Sequence, residues 1–122
     1  MKREAFLELV REALDGLPRG FRARMENLAV VVEDHPPARR DAGDLLLGIF
    51  EGTPRTEQSV FDVGSEPARV VLFQKNIEAY AREAAGAEGR AVEEIIREEV
   101  RLTVLHELGH YFGLDEDALE DV

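Results

Sequence analysis

Residues 91–112 read AVEEIIREEVRLTVLHELGHYF and contain no proline. Within them Ile95, Ile96, Val100, Val104, Leu105 and Leu108 recur at the three- and four-residue spacing of a helix with one apolar stripe. Glu93/Arg97, Glu94/Arg97 and Glu98/Arg101 stand at separations that stabilise a helix surface. The spacing predicts one long amphipathic helix over 91–112, and such a helix needs other elements to cover its stripe.

Those elements lie upstream. Phe6, Leu7, Leu9, Val10, Ala13 and Leu14 repeat at helical spacing from Arg3 to Leu14, before Gly16 and Pro18 end the pattern. The β-branched run 28–32 and the apolar runs 45–50 and 69–73 read as three strands, the first of them buried, each bounded by turn or polar residues. The polar stretch 53–67 reads as a connection, and 75–85 as a short helix cut by Gly86 and Gly89. Gly113 stands where the long helix is expected to stop, with Asp115 capping a last short helix to Leu119. The expected architecture is a single α+β domain over residues 1–122, a short mixed sheet packed on the long helix.

Composition narrows the chemistry. A chain of 122 residues with 44% hydrophobic and 34% charged residues is long enough for one buried core. It has no cysteine, so a transition metal would be bound by imidazole and carboxylate. The net charge of −11 opposes binding to nucleic acid or to an anionic membrane surface. No apolar run reaches membrane-spanning length, and the amphipathic, acid-bearing start is neither a signal nor a transit peptide, so the expected location is the cytoplasm.

The chemistry gathers at the end of the long helix. His106 and His110 are four residues apart, which on a helix means about 40° of rotation and about 6 Å of rise, so two imidazoles can converge on one metal ion. Glu107 is one helical step from His106, a poor position for a second ligand but a suitable one for a general base beside a metal-activated water. A catalytic zinc site takes three protein ligands and keeps one position open. A sharp turn at Gly113 would bring Glu116 back as the third ligand, with Asp115 as the adjacent alternative and Asp117 after it. Thr103 and Glu99, one and two turns before His106, are candidates to support the ligands from behind, although packed or solvated roles are the simpler reading for both. Tyr111 is a candidate oxyanion donor, with surface packing as the simpler reading. His35, ahead of two prolines, reads as an exposed turn residue. The expected partner is a peptide or protein substrate, held in extended form on an edge strand, either 69–73 or the segment after Phe50.

These residues resemble a family of small bacterial zincin-like metallopeptidases, minimal zincins with a matrix-metalloprotease-like domain. The resemblance is carried by His106-Glu107-x-x-His110-x-x-Gly113-Leu114-Asp115-Glu116-Asp117. It extends upstream to Val30–Asp34 with Pro36, to Gly48–Gly52 with Pro54, Thr56 and Ser59, and to Arg69–Phe73. It implies an α+β zincin-like fold, His106 and His110 as zinc ligands, Glu107 as the catalytic acid-base and an acidic third ligand at Glu116. The chain departs from larger metzincins in having Glu116 where they have a third histidine. It also has no methionine after the motif, its only ones being Met1 and Met25. A metal-stabilised binding or regulatory domain with little hydrolytic activity, and a hydrolase of non-peptide amides or esters, stay open beside the peptidase reading.

Overall fold

A computed structural model describes residues 1–20, 28–37, 45–51 and 69–112, with side chains through residue 109. The expected connection at 53–67, the stop at Gly113, the cap at Asp115 and the acids that follow lie outside the described residues. In chain order the elements are α1 (Arg3–Asp15), β1 (Ala29–Glu33), β2 (Gly48–Glu51), β3 (Arg69–Phe73), α2 (Gln74–Glu88) and α3 (Val92–Phe112). Three helices and a small mixed sheet make the expected α+β, zincin-like architecture.

The sheet order is β1-β3-β2, with β1 parallel and β2 antiparallel to β3. Strand 69–73, one of the two segments expected at an edge, is therefore the centre of the sheet. Val70, Val71, Leu72 and Phe73 are all buried, because this strand has neighbours on both sides and covered faces. The run 28–32, expected to be buried, is only half-buried in β1, the outer strand on the other side among the described residues. An uninterrupted apolar run signals burial on both faces, but position in the sheet decides whether that burial is realised. In β2 pairing begins at Gly48 rather than at Leu45, which is exposed. Glu51 and Arg69, directly opposite in the register, form an ion pair at 2.5 Å that favours this pairing.

Side chains alternate across the sheet. Val30, Val32, Val70, Leu72 and Phe50 join the hydrophobic cluster shared with the helices, which includes Phe6, Leu9, Val10 and Ala13 of α1 and Ile77 and Ala81 of α2. The stripe of α3 fills the middle with Ile95, Ile96, Val100, Val104 and Leu108, while Leu105 packs at its margin. Helices α1 and α2 both pack on α3. The expected Glu–Arg ladder along α3 is replaced by other pairs. Arg97 reaches Glu12 of α1 at 3.4 Å, and Arg90, just ahead of α3, reaches Glu88, Glu94 and Glu98. Several partners were within reach of each long side chain, and tertiary proximity chose among them.

Helix α2 runs three residues beyond the expected end at Ala85, passing through Gly86 and stopping at Gly89. Gly89 takes φ 67 and its N–H donates to the Ala85 carbonyl at 2.9 Å, a left-handed cap that favours glycine. Gly86 weakens a helix by about 1 kcal/mol relative to alanine, which packing of Ile77 and Ala81 readily offsets. The start of α2 also anchors two neighbours. The Asn76 side-chain amide donates to the Leu46 carbonyl at 2.8 Å, and the Phe73 N–H donates to the Leu47 carbonyl at 2.9 Å, so the residues leading into β2 are pinned. The Met1 ammonium lies 2.9 Å from the buried Glu78 carboxylate. Burial pushes the Glu78 carboxyl up, but the hydrogen bond and charge of that ammonium, with Lys75 nearby, hold it below its ordinary value.

Gly48 sits opposite Leu72, on the face of β2 that meets α3. A Cβ there would lie 2.8 Å from the Thr103 methyl and 3.0 Å from the Val71 carbonyl oxygen. Glycine in this strand thus permits close approach of sheet and helix. Gly48→Ala is expected to destabilise the fold by about 1–3 kcal/mol, as overpacking does. Thr103→Ser in the same chain removes the methyl and is expected to recover part of that loss. Urea melts of both single variants and the double variant measure the coupling, and strictly additive effects would disprove the contact.

Candidate metal and catalytic site

Helix α3 carries the site residues because its core stripe fixes the rotation of everything else on it. With Val100, Val104 and Leu108 turned into the core, Leu102, Thr103, His106 and Glu107 fall on flanking positions one helical turn apart. These four, together with Leu47 and Gly48, line a cavity of about 290 Å³ between α3 and β2. His106 is exposed at this cavity and Glu107 is half-buried in it. An imidazole and a carboxylate on adjacent residues therefore open onto one space.

The helix continues unbroken to Phe112, so His110 follows His106 by four residues within one helix, as expected. The side chain of His110, and Gly113, Asp115, Glu116 and Asp117 entirely, lie outside the described residues. Among the described residues no three side chains of metal-ligating type gather. Tyr111 has a described backbone only.

The other candidates separate clearly. Thr103 lines the cavity and packs its methyl against the backbone of β2. Glu99 is not among the lining residues. Burial, and then the charges of Glu98 and Glu88, push its carboxyl up, and its own charge is the main cause raising the Tyr80 hydroxyl of α2. Glu99 thus lies on the α2 side of the helix. His35 is exposed in the turn after β1, as its prolines suggest.

Three cavity residues were not singled out in the sequence as parts of a site. Leu47 and Gly48 lead into a strand whose position relative to α3 only the fold establishes, although a glycine inside an apolar run is a recognised sign of close backbone approach. Leu102 carried a usable signal. It is an apolar residue off the core stripe, four residues before His106 and therefore on the same side of the helix.

The profile of a family described as zincin-like metallopeptidase matches residues 25–122. Among solved structures, the chain is similar to a conserved hypothetical protein from Thermus thermophilus. The two are 30% identical, with a TM-score of 0.53, and the match covers 90% of this chain and 92% of that one. No curated protein matches the chain. No helix among the described residues is long and apolar enough to cross a membrane.

Proposed function

Because the chain belongs to the zincin-like metallopeptidase family, we propose that it hydrolyses peptide bonds with a zinc ion held by His106, His110 and Glu116. The observation that carries this reading is the shared cavity of His106 and Glu107 beside β2. The donor set fits the metal: two imidazoles and a carboxylate suit zinc, and the His106 ring lies at an open cavity rather than in the core. Zinc bound there supplies a Lewis acid that polarises the substrate carbonyl and acidifies a water.

The chain supplies the rest. Glu107 accepts the proton of the attacking water and returns it to the amine that leaves, so one carboxylate serves both halves of the reaction. Partial burial of Glu107 at the cavity wall limits competing solvent. Strand β2, outermost on its side among the described residues, offers backbone groups alongside the same cavity, and an extended peptide lying against it would bring its amide to Glu107.

The test is zinc quantification in wild type, His110→Ala and Glu116→Ala, followed by cleavage of a peptide library by the zinc-loaded protein. Near-stoichiometric zinc in wild type and roughly tenfold or more weaker retention in both variants is expected. Full retention in Glu116→Ala would transfer the third ligand to Asp115 or Asp117. Stoichiometric zinc with no peptide cleaved would reject the peptidase and leave a metal-stabilised binding domain.

A further inference from the structure

The nitrogen and the carbonyl of Met1 both meet the first turn of α2, away from the metal site. The Met1 ammonium lies 2.9 Å from Oε1 of Glu78, and the Gln74 side-chain amide donates to the Met1 carbonyl at 3.0 Å. Gln74 and Glu78 are four residues apart on α2, so neighbouring positions on one helix face take both groups. Both residues are buried, at 1% and 3% exposure. Gln74 Oε1 is buried as well and has no hydrogen-bond partner among the described residues, which leaves an acceptor beside a group with three N–H donors. Met1 is exposed as a residue and lies outside the core cluster, so these polar contacts, more than apolar burial, hold it there.

We propose that Gln74 and Glu78 form a binding site for a free primary ammonium at Met1, and that acylation of this nitrogen by a formyl or acetyl group unseats Met1 and weakens the fold. Capture of a terminal amine by buried acceptors is a known mode of recognition, and here acceptor and amine belong to one chain. A buried carboxylate needs a cation close by, and removing one partner of such a pair leaves the other charge uncompensated. Burial pushes the Glu78 carboxyl up, and the hydrogen bond and charge of the ammonium, with Lys75 nearby, more than offset that rise. Acylation forms an N–C bond to the neutral amine and expels the leaving group of the acyl donor. It turns a cation with three donors into a neutral amide with one. Lys75 would remain as a cation beside Glu78, but it lies 3.7 Å away on Oε2 and its side chain is 45% exposed. A solvated lysine on the other oxygen replaces little of what a contact at Oε1 supplies.

The experiment compares the 122-residue chain carrying a free Met1 amine with the same chain acetylated at that nitrogen, Lys2 and Lys75 being shown unmodified by mass spectrometry. Each form is made as wild type and as Glu78→Gln. Acetylation is expected to lower the wild-type Tm by about 5–10 °C. Glu78→Gln with a free amine is expected to lose a similar amount, and acetylating that variant to change its Tm by no more than about 2 °C, because the interaction is already gone. An unchanged Tm on acetylating the wild type, or equal losses in wild type and Glu78→Gln, overturns the proposal. A second measurement needs no variant. Acetic anhydride is expected to modify Met1 about tenfold or more slowly in the folded chain than in the urea-unfolded chain, with the exposed Lys2 as internal reference. Equal rates at Met1 in the two states, relative to Lys2, would likewise overturn it.

Discussion

Glu107→Gln is expected to lower kcat/KM for peptide cleavage by about 10²–10⁴-fold while zinc content and melting temperature stay at wild-type values. The amide keeps the size and shape of the carboxylate, so the cavity wall formed with His106, Thr103 and Leu102 is preserved. What it loses is the ability to accept a proton from water and return it to the leaving amine. Because Glu107 is adjacent to His106 rather than a helical turn away, its removal is not expected to release the metal. Single-turnover cleavage and metal analysis on the same sample separate the two effects. A variant that cleaves as fast as wild type would remove Glu107 from the reaction, and one that loses zinc as well would make it a ligand rather than a base.

The largest expected effect on stability comes from Phe6→Ala. Phe6 is fully buried on α1, in the cluster that includes Val70 and Leu72 of β3 and Ile96 and Val100 of α3. Replacing it leaves a large cavity in that cluster, which is expected to cost about 3–5 kcal/mol. For a domain of this size that corresponds to a fall of about 10–20 °C in Tm. Leu7, its neighbour in sequence, is 46% exposed, and Leu7→Ala is expected to change stability by no more than about 0.5 kcal/mol. Melts of the two variants measure the contrast, and comparable losses would show that α1 does not pack through the Phe6 face. A collapse of α1 would reach the site indirectly, since α1 and α3 share that cluster and the Glu12–Arg97 pair.

Particular residues separate what was readable in the sequence from what was not. The helix at 91–112 was readable because its stripe is local: Ile95, Ile96, Val100, Val104 and Leu108 repeat on a period that only a helix satisfies, and all five are buried. The same period sets the relation of His106, Glu107 and His110, which depends on the helix alone. The strand at 69–73 was readable for a similar reason, but its place in the sheet was not. Val30–Val32 and Val70–Leu72 have nearly the same local pattern, yet one is half-buried at the margin and the other lies in the centre. Strand order depends on contacts between distant segments, and no local spacing encodes it. Gly86 and Gly89 make the same point within one helix. Both are helix-weakening residues, and only the second takes the left-handed conformation that ends the helix.

At the candidate site, the sequence by itself determined which residue types stand at 106, 107 and 110 and how they are spaced, because that follows from helix geometry within a few residues. Only the tertiary structure decided that Leu47 and Gly48, at the start of a strand far earlier in the chain, form the facing wall, and that Leu102 and Thr103 turn towards it. That pairing depends on how closely β2 approaches α3, which the absence of a side chain at Gly48 permits and the anchoring of Leu46 and Leu47 by Asn76 and Phe73 secures.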